Sequence, residues 1–310
     1  MENMENKKIN GFEFSYNDLS CEGVENIPYQ VMIINKKTQF KKGIEYIKEN
    51  DIKKLELNIE LTQDDLEQIA QLPILGISIK NHKNELDINI INKMRSLEYL
   101  SLQGNFEGQL NFEYLNKIMY LDFSSKEIKF NKIEEAKNIK QIVLYDYKGV
   151  SVQSINSSSL ENIQIYNSDI ETLDFIQDSK CLKKVEIENC KNLTSIYSLR
   201  ASSLTIKELA LRNCKKLTDY SVISNLQNIE IIYLLNCGDL KNADIFQNLK
   251  NLKYGSININ IEDGNVDEII NLPIIFKNYS HFNHKNILKI KIVTNDGNYL
   301  MRGKDILYKL

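Results

Sequence analysis

Apolar residues fall in one recurring frame along most of the chain. Beginning at Leu97, positions one, four and six are apolar and position nine is Asn or Cys: Leu97, Leu100, Leu102 and Asn105. The frame returns at Ile118, Leu121 and Phe123, at Ile139, Ile142 and Leu144, and at Leu160, Ile163 and Ile165. It continues at Leu182, Val185, Ile187 and Cys190, at Ile206, Leu209, Leu211 and Cys214, and at Ile229, Ile232, Leu234 and Cys237. From Leu97 to Ile229 six intervals cover 132 residues, a mean of 22. Alternation between positions three and seven predicts a short strand with one face buried. One such strand cannot bury its apolar set alone, so successive coils must stack and share a core.

Further matches flank this series. Leu249-x-x-Leu252-x-Tyr254 follows it. Leu72-x-x-Leu75-x-Ile77, Ile52-x-x-Leu55-x-Leu57 and Tyr29-x-x-Met32-x-Ile34 precede it, and Ile9-x-x-Phe12-x-Phe14-x-x-Asn17 opens the chain in phase. Ile287-x-x-Ile290-x-Ile292-x-x-Asn295 fits near the end. The pattern L-x-x-L-x-L-x-x-N/C resembles the leucine-rich repeat family, and its period is similar to that of the bacterial internalin group. The resemblance implies an α/β solenoid, a right-handed horseshoe with a parallel sheet on the concave side and short helical or 3₁₀ turns on the convex side. It also implies a single domain over 1–310. Residues 1–27 would form the N-terminal cap region, 28–96 irregular repeats, 97–255 regular repeats, and 256–310 degenerate repeats and a C-terminal cap.

Position nine lies where the chain turns and leaves backbone groups to be paired. Asn105 and Asn295 can do this with an inward amide, and Cys190, Cys214 and Cys237 with a small buried thiol. A metal site or disulfide ladder is the alternative, but one thiol per coil lacks tetrahedral ligand spacing. Between strands, Ile170-x-x-Leu173 and Leu193-x-x-Ile196-x-x-Leu199 predict short helical or 3₁₀ turns. Thr62 with Asp65 predicts a capped helix that stops before Pro73, and Ile44 and Ile47 give Lys41–Asn50 helical spacing. Asn295-Asp296-Gly297-Asn298, between two apolar runs, predicts a hairpin turn.

Composition narrows the function classes. The 310 residues are 42% hydrophobic, with only 3 Pro and 12 Gly, which argues against bulk disorder and against obvious linkers. Net charge is −3, from 39 basic and 42 acidic residues, which gives no reason to expect nucleic acid. A local excess of about +5 over Lys277–Leu310 reads as a dispersed, solvated cap surface. The N-terminus has no apolar signal segment, no stretch is long enough to span a bilayer, and the five Cys form no disulfide framework. A cytoplasmic protein without secretion or wall-anchor signals is therefore expected. No phosphate-cradling, zinc-protease or nucleophile-elbow motif appears. His281-x-x-His284 has metal-compatible spacing but lies in a polar stretch without Cys or carboxylate nearby. No enzyme activity, cofactor or metal is expected.

The informative surface is the outward face of the strands. Position three carries Tyr99, Tyr120, Gln141, Asn162, Lys184, Glu208 and Ile231. Position five includes Glu186 and Tyr233, and position seven Tyr145, Tyr166, Glu188, Arg212 and Leu235. Tyr99, Tyr120, Tyr145 and Tyr166 form a diagonal aromatic stripe, and Ile231, Tyr233 and Leu235 an apolar strand face. Tyr anchors interfaces because it buries a large area at low entropy cost, although it also suits strands for their own sake. These seven residues are the expected contacts for an unidentified partner protein, with Lys184, Glu186, Glu188, Glu208 and Arg212 tuning specificity or solvation. Two other readings are an immunity or regulatory protein neutralising one dedicated partner, and an exported effector or enzyme with an unrecognised site.

Overall fold

The repeat frame becomes a parallel strand ladder in the computed structural model. The structure describes residues 6–15, 31–124, 127–148 and 159–263, together with residue 272 and the backbone of 274–276, 291–294, 297–302 and 305–309. The chain divides into two units, Met1–Val143 and Leu144–Leu310.

The first unit opens with β1 (Lys7–Ile9) and β2 (Phe12–Ser15), an antiparallel hairpin. Its two-residue turn is Asn10 (φ 51°) and Gly11 (φ 85°). Two positive φ values match the twist of the flanking strands, and Asn-Gly supplies them at low steric cost. β2 then runs antiparallel to β3 (Val31–Ile34). The in-phase match at Ile9, Phe12 and Phe14 is therefore a hairpin, not a coil. From β3 onward β4 (Lys54–Leu57), β5 (Gly76–Asp87), β6 (Tyr99–Asn111) and β7 (Tyr120–Ser124) pair parallel in order.

Two helices connect the early strands. α1 (Phe40–Glu49) buries Phe40, Ile44 and Ile47 on one face, at the spacing expected. α2 (Gln63–Ile69) buries Leu66 and Ile69 and carries the expected N-cap. The Asp65 N–H donates to the Thr62 hydroxyl at 3.3 Å, and the Asp65 carboxylate accepts the Thr62 N–H at 2.7 Å. Burial pushes the Asp65 carboxyl up, but the Lys37 ammonium and the Thr62 donors outweigh it and hold it below the usual carboxylate range.

Register corrects one frame here. Leu55 pairs with Ile77 and Ile77 with Leu100, so this coil reads Ile74, Ile77, Ile79 rather than Leu72, Leu75, Ile77. These coils also differ from expectation on their far side. Leu86 of β5 pairs with Phe106 of β6, and Glu107–Asn111 pair with β8 (Glu127–Asn131). A second parallel ladder thus replaces helical turns, with Leu86, Phe106, Leu110 and Ile128 buried beneath it. Gly104 makes the corner between the two ladders of β6 with φ 121°.

The division between units falls inside β9 (Gln141–Tyr145). In the second unit β10 (Asn162–Tyr166), β11 (Lys184–Glu188), β12 (Glu208–Arg212), β13 (Ile231–Leu235), β14 (Tyr254–Asn258) and β15 (Ile274–Phe276) pair parallel in sequence order. Short 3₁₀ turns at Asp174–Ile176, Tyr197–Ser202, Ser221–Asn225 and Asp244–Phe246 close the coils, as expected. They bury Ile176, Leu199, Ile223 and Phe246 against the inward strand residues. Ile232 pairs with Gly255 and Leu234 with Ile257. The coil after β13 therefore reads Leu252, Gly255, Ile257, three residues beyond the frame ending at Tyr254. That shift moves Tyr254 from an inward place to outward position three.

Positions eight and nine make the turn after each strand. Asn167, Asn189, Asn213 and Asn236 hold left-handed φ values of 52°, 57°, 56° and 55°. Asn tolerates this region better than most residues. Their amides form a ladder: Asn189 donates to Asn167 at 2.9 Å, Asn213 to Asn189 at 2.8 Å, and Asn236 to Asn213 at 2.7 Å. Behind them the Cys190 thiol donates to Glu188 O at 3.6 Å, Cys214 to Arg212 O at 3.4 Å and Cys237 to Leu235 O at 3.5 Å. Burial pushes the Cys190 thiol up to about 11, so it stays a protonated donor. Asn105 departs from the expectation. It is exposed and donates to His82 O at 2.7 Å, while the next residue, Phe106, turns inward.

At the end of the chain β16 (Lys291–Thr294), β17 (Gly297–Arg302) and β18 (Asp305–Lys309) form a separate antiparallel sheet. The hairpin is where the Asn-Asp-Gly-Asn signal placed it, and Ile292 pairs antiparallel rather than extending the ladder. Asn295, Asp296, His281 and His284 lie outside the described residues.

Candidate protein-binding face

The outward positions differ sharply between the units. In the first, Tyr99 and Tyr120 are 4% and 5% exposed. Their rings lie 6.3 Å apart, and the Lys54 ammonium sits 5.9 Å from the Tyr99 ring centre. Ser78 and Ser101 on the same face are also buried. The expectation that Tyr99 and Tyr120 present open rings is corrected: strand alternation gives a side chain its direction but not its cover.

In the second unit the same positions are accessible. Tyr145, Tyr166, Ile231, Tyr233 and Leu235 are all half-buried. Tyr145 and Tyr166 stack with ring centres 4.8 Å apart and planes 16° from parallel. Tyr233 packs on Tyr254 at 5.5 Å, and Ile231 and Leu235 flank Tyr233 on β13. Tyr254 was missed because the sequence frame pointed it inward; the buried Gly255 and Ile257 after it were the available signal. The four stripe tyrosines therefore fall as two pairs, one buried in the first unit and one accessible in the second.

Between Tyr145–Tyr166 and Tyr233–Tyr254 lies a paired charge cluster. Arg212 donates to Glu186 at 2.6 Å, and its guanidinium lies 5.1 Å from the Tyr233 ring centre. Lys184 lies 3.5 Å from Glu208 and 3.9 Å from Glu186. These side chains are mostly buried, so desolvation offsets much of the attraction within each pair, and their clearer effect is to fix rotamers across β11, β12 and β13. Burial and the neighbouring Glu186 carboxylate push the Tyr166 phenol up, and burial followed by Tyr254 does the same to Tyr233. Both rings stay neutral at neutral pH. Such a surface offers flat aromatic area and fixed polar groups. Among the described residues no three His, Cys, Asp or Glu side chains converge as metal ligands would, and no helix is long and apolar enough to cross a membrane.

No protein-family model matches the sequence, and no curated protein matches it. Solved structures do. An internalin of Listeria monocytogenes, InlF, superposes with a TM-score of 0.52 at 16% identity, covering 75% of this chain and 66% of that one. InlJ of the same organism, whose functional domain includes a cysteine ladder, gives 0.42 at 11% identity over 66% of this chain and 50% of that one. A leucine-rich-repeat protein of Leptospira interrogans gives 0.38 at 15%, covering 74% and 83%. The chain spans less than two thirds of either internalin's length. The recurring frame, the parallel ladder it builds and the likeness to InlF together give this chain the leucine-rich-repeat solenoid fold.

Proposed function

We propose that the chain is a non-catalytic protein-binding module whose contact surface is the outward face of β10–β14, extended by Tyr145. The supporting observation is the accessible aromatic flank on each side of a fixed charge cluster: Tyr145 and Tyr166 on one side, Ile231, Tyr233, Leu235 and Tyr254 on the other. Tyr99 and Tyr120, being buried, serve packing in this reading and leave the contact set.

Combined Tyr145→Ala, Tyr166→Ala and Tyr233→Ala substitution tests the address. Truncating an aromatic that serves as a central hot spot costs about 2 kcal/mol or more. Partner capture from cell extract should fall at least roughly tenfold, with circular dichroism unchanged. Undiminished capture by the folded variant would remove these residues from the contact surface.

A further inference from the structure

The charges on this face do not balance. Lys184 and Arg212 face three carboxylates, Glu186, Glu188 and Glu208. Glu186 is taken by Arg212 and Lys184, and Glu208 by Lys184. Glu188 makes no ion pair among the described residues. Register places it between Tyr166 and Arg212 on position seven. Arg212 turns instead toward Glu186 and the Tyr233 ring. The half-buried residue Glu188 is thus left beside a stacked tyrosine pair, and Arg212, its cationic partner in register, is already committed. A carboxylate without an ion pair gains from a partner cation, and a tyrosine ring face attracts the same kind of group.

We infer that Glu188, beside Tyr166 and Tyr145, receives a Lys or Arg side chain from an extended segment of the partner protein. The inference rests on β10–β14 being the contact face. It is two strands from β11 to β13, about 10 Å, which roughly three residues of extended chain span. A segment with its basic residue at Glu188 therefore sets an apolar residue on Ile231, Tyr233 and Leu235. The excess negative charge selects against an acidic segment and against nucleic acid.

A display library of random nonapeptides tests this on the whole protein. Pools selected on the wild type should be enriched at least threefold in Lys and Arg at one position, with an apolar residue two to four places away. Glu188→Gln should abolish the basic preference, and Glu188→Lys should turn it toward Asp and Glu. A pool that needs Tyr145, Tyr166 and Tyr233 but shows no basic preference, or keeps it on Glu188→Lys, overturns the role of Glu188 and leaves the face standing. A pool indifferent to those tyrosines overturns the face itself, and failure to enrich any sequence overturns the inference as well. Sedimentation of the protein alone provides a further check. A dimer lost on Glu188→Lys would make a second copy the occupant and overturn assignment to a foreign segment.

Discussion

Leu211→Ala should lower stability by about 2–5 kcal/mol, the range for truncating a fully buried leucine without collapse of the site. Leu211 is fully buried at position six of β12, and its ladder partners are Ile187 on one side and Leu234 on the other. A repeat protein is held by interfaces between neighbouring coils, and this side chain serves two of them. Neither neighbour can move in to fill the void, because each is fixed by its own ladder hydrogen bonds and 3₁₀ turn. Urea unfolding followed by circular dichroism reads the effect as a fall in midpoint. A loss under about 1 kcal/mol would mean that the coil is not packed as described.

Gly104→Ala should cost about 3 kcal/mol or more, by a different mechanism. Gly104 sits at φ 121°, and a Cβ placed there would lie 1.8 Å from Asn81 O. The obstacle is backbone, pinned in turn by the Asn81 side chain, which accepts from the Leu61 N–H at 3.2 Å and donates to Asn84 O at 2.6 Å. The substitution must therefore strain φ and also break the corner between the two ladders of β5 and β6. Strain alone is worth about 1–3 kcal/mol, and a lost buried hydrogen bond adds a comparable amount. Gly11→Ala is the control. Its φ is 85° but nothing lies within 4 Å of the added Cβ, so only the strain of the left-handed turn remains. Thermal unfolding should separate the two variants clearly, and equal melting temperatures would show that the corner at Gly104 is not as tight as its geometry implies.

Much of this fold is readable in the order of residues, and the failures have definite causes. From Leu97 to Cys237 the apolar triad recurs in seven successive coils, so neighbouring coils fix the frame even where a strand such as Ile231–Leu235 is apolar on both faces. At Leu72-Pro73-Ile74-Leu75 and at Leu249 to Leu252, surplus apolar residues admit more than one frame, and hydrogen-bond register decides between them. The second ladder under β5, β6 and β8 left a trace in the alternating Leu110 and Phe112 and in Ile128 and Phe130, but two-residue alternations are too short to displace a turn prediction. The recurring Asn-Cys pairs at 189–190, 213–214 and 236–237 announce the turn. Only position nine carried the expectation, while position eight supplies both the left-handed residue and the amide ladder.

The functional face was partly legible for the same reasons. Alternation along a strand places Tyr145, Tyr166, Ile231, Tyr233 and Leu235 on one side, and the structure leaves them accessible. It places Tyr99 and Tyr120 on that side too, yet they are buried, since periodicity along one strand carries no information about what packs across it. Tyr254 joins the face only through register.

Tyrosine footprinting by hydroxyl radicals, with and without the captured partner, tests the binding face most directly. In the free protein Tyr145, Tyr166, Tyr233 and Tyr254 should label and Tyr99 and Tyr120 should not. In the complex the first four should lose most of their label, while the exposed Tyr197 on the 3₁₀ side keeps its own. Unchanged labelling of the four, with protection at Tyr197 instead, would contradict the account and move the contact to the opposite side of the coils.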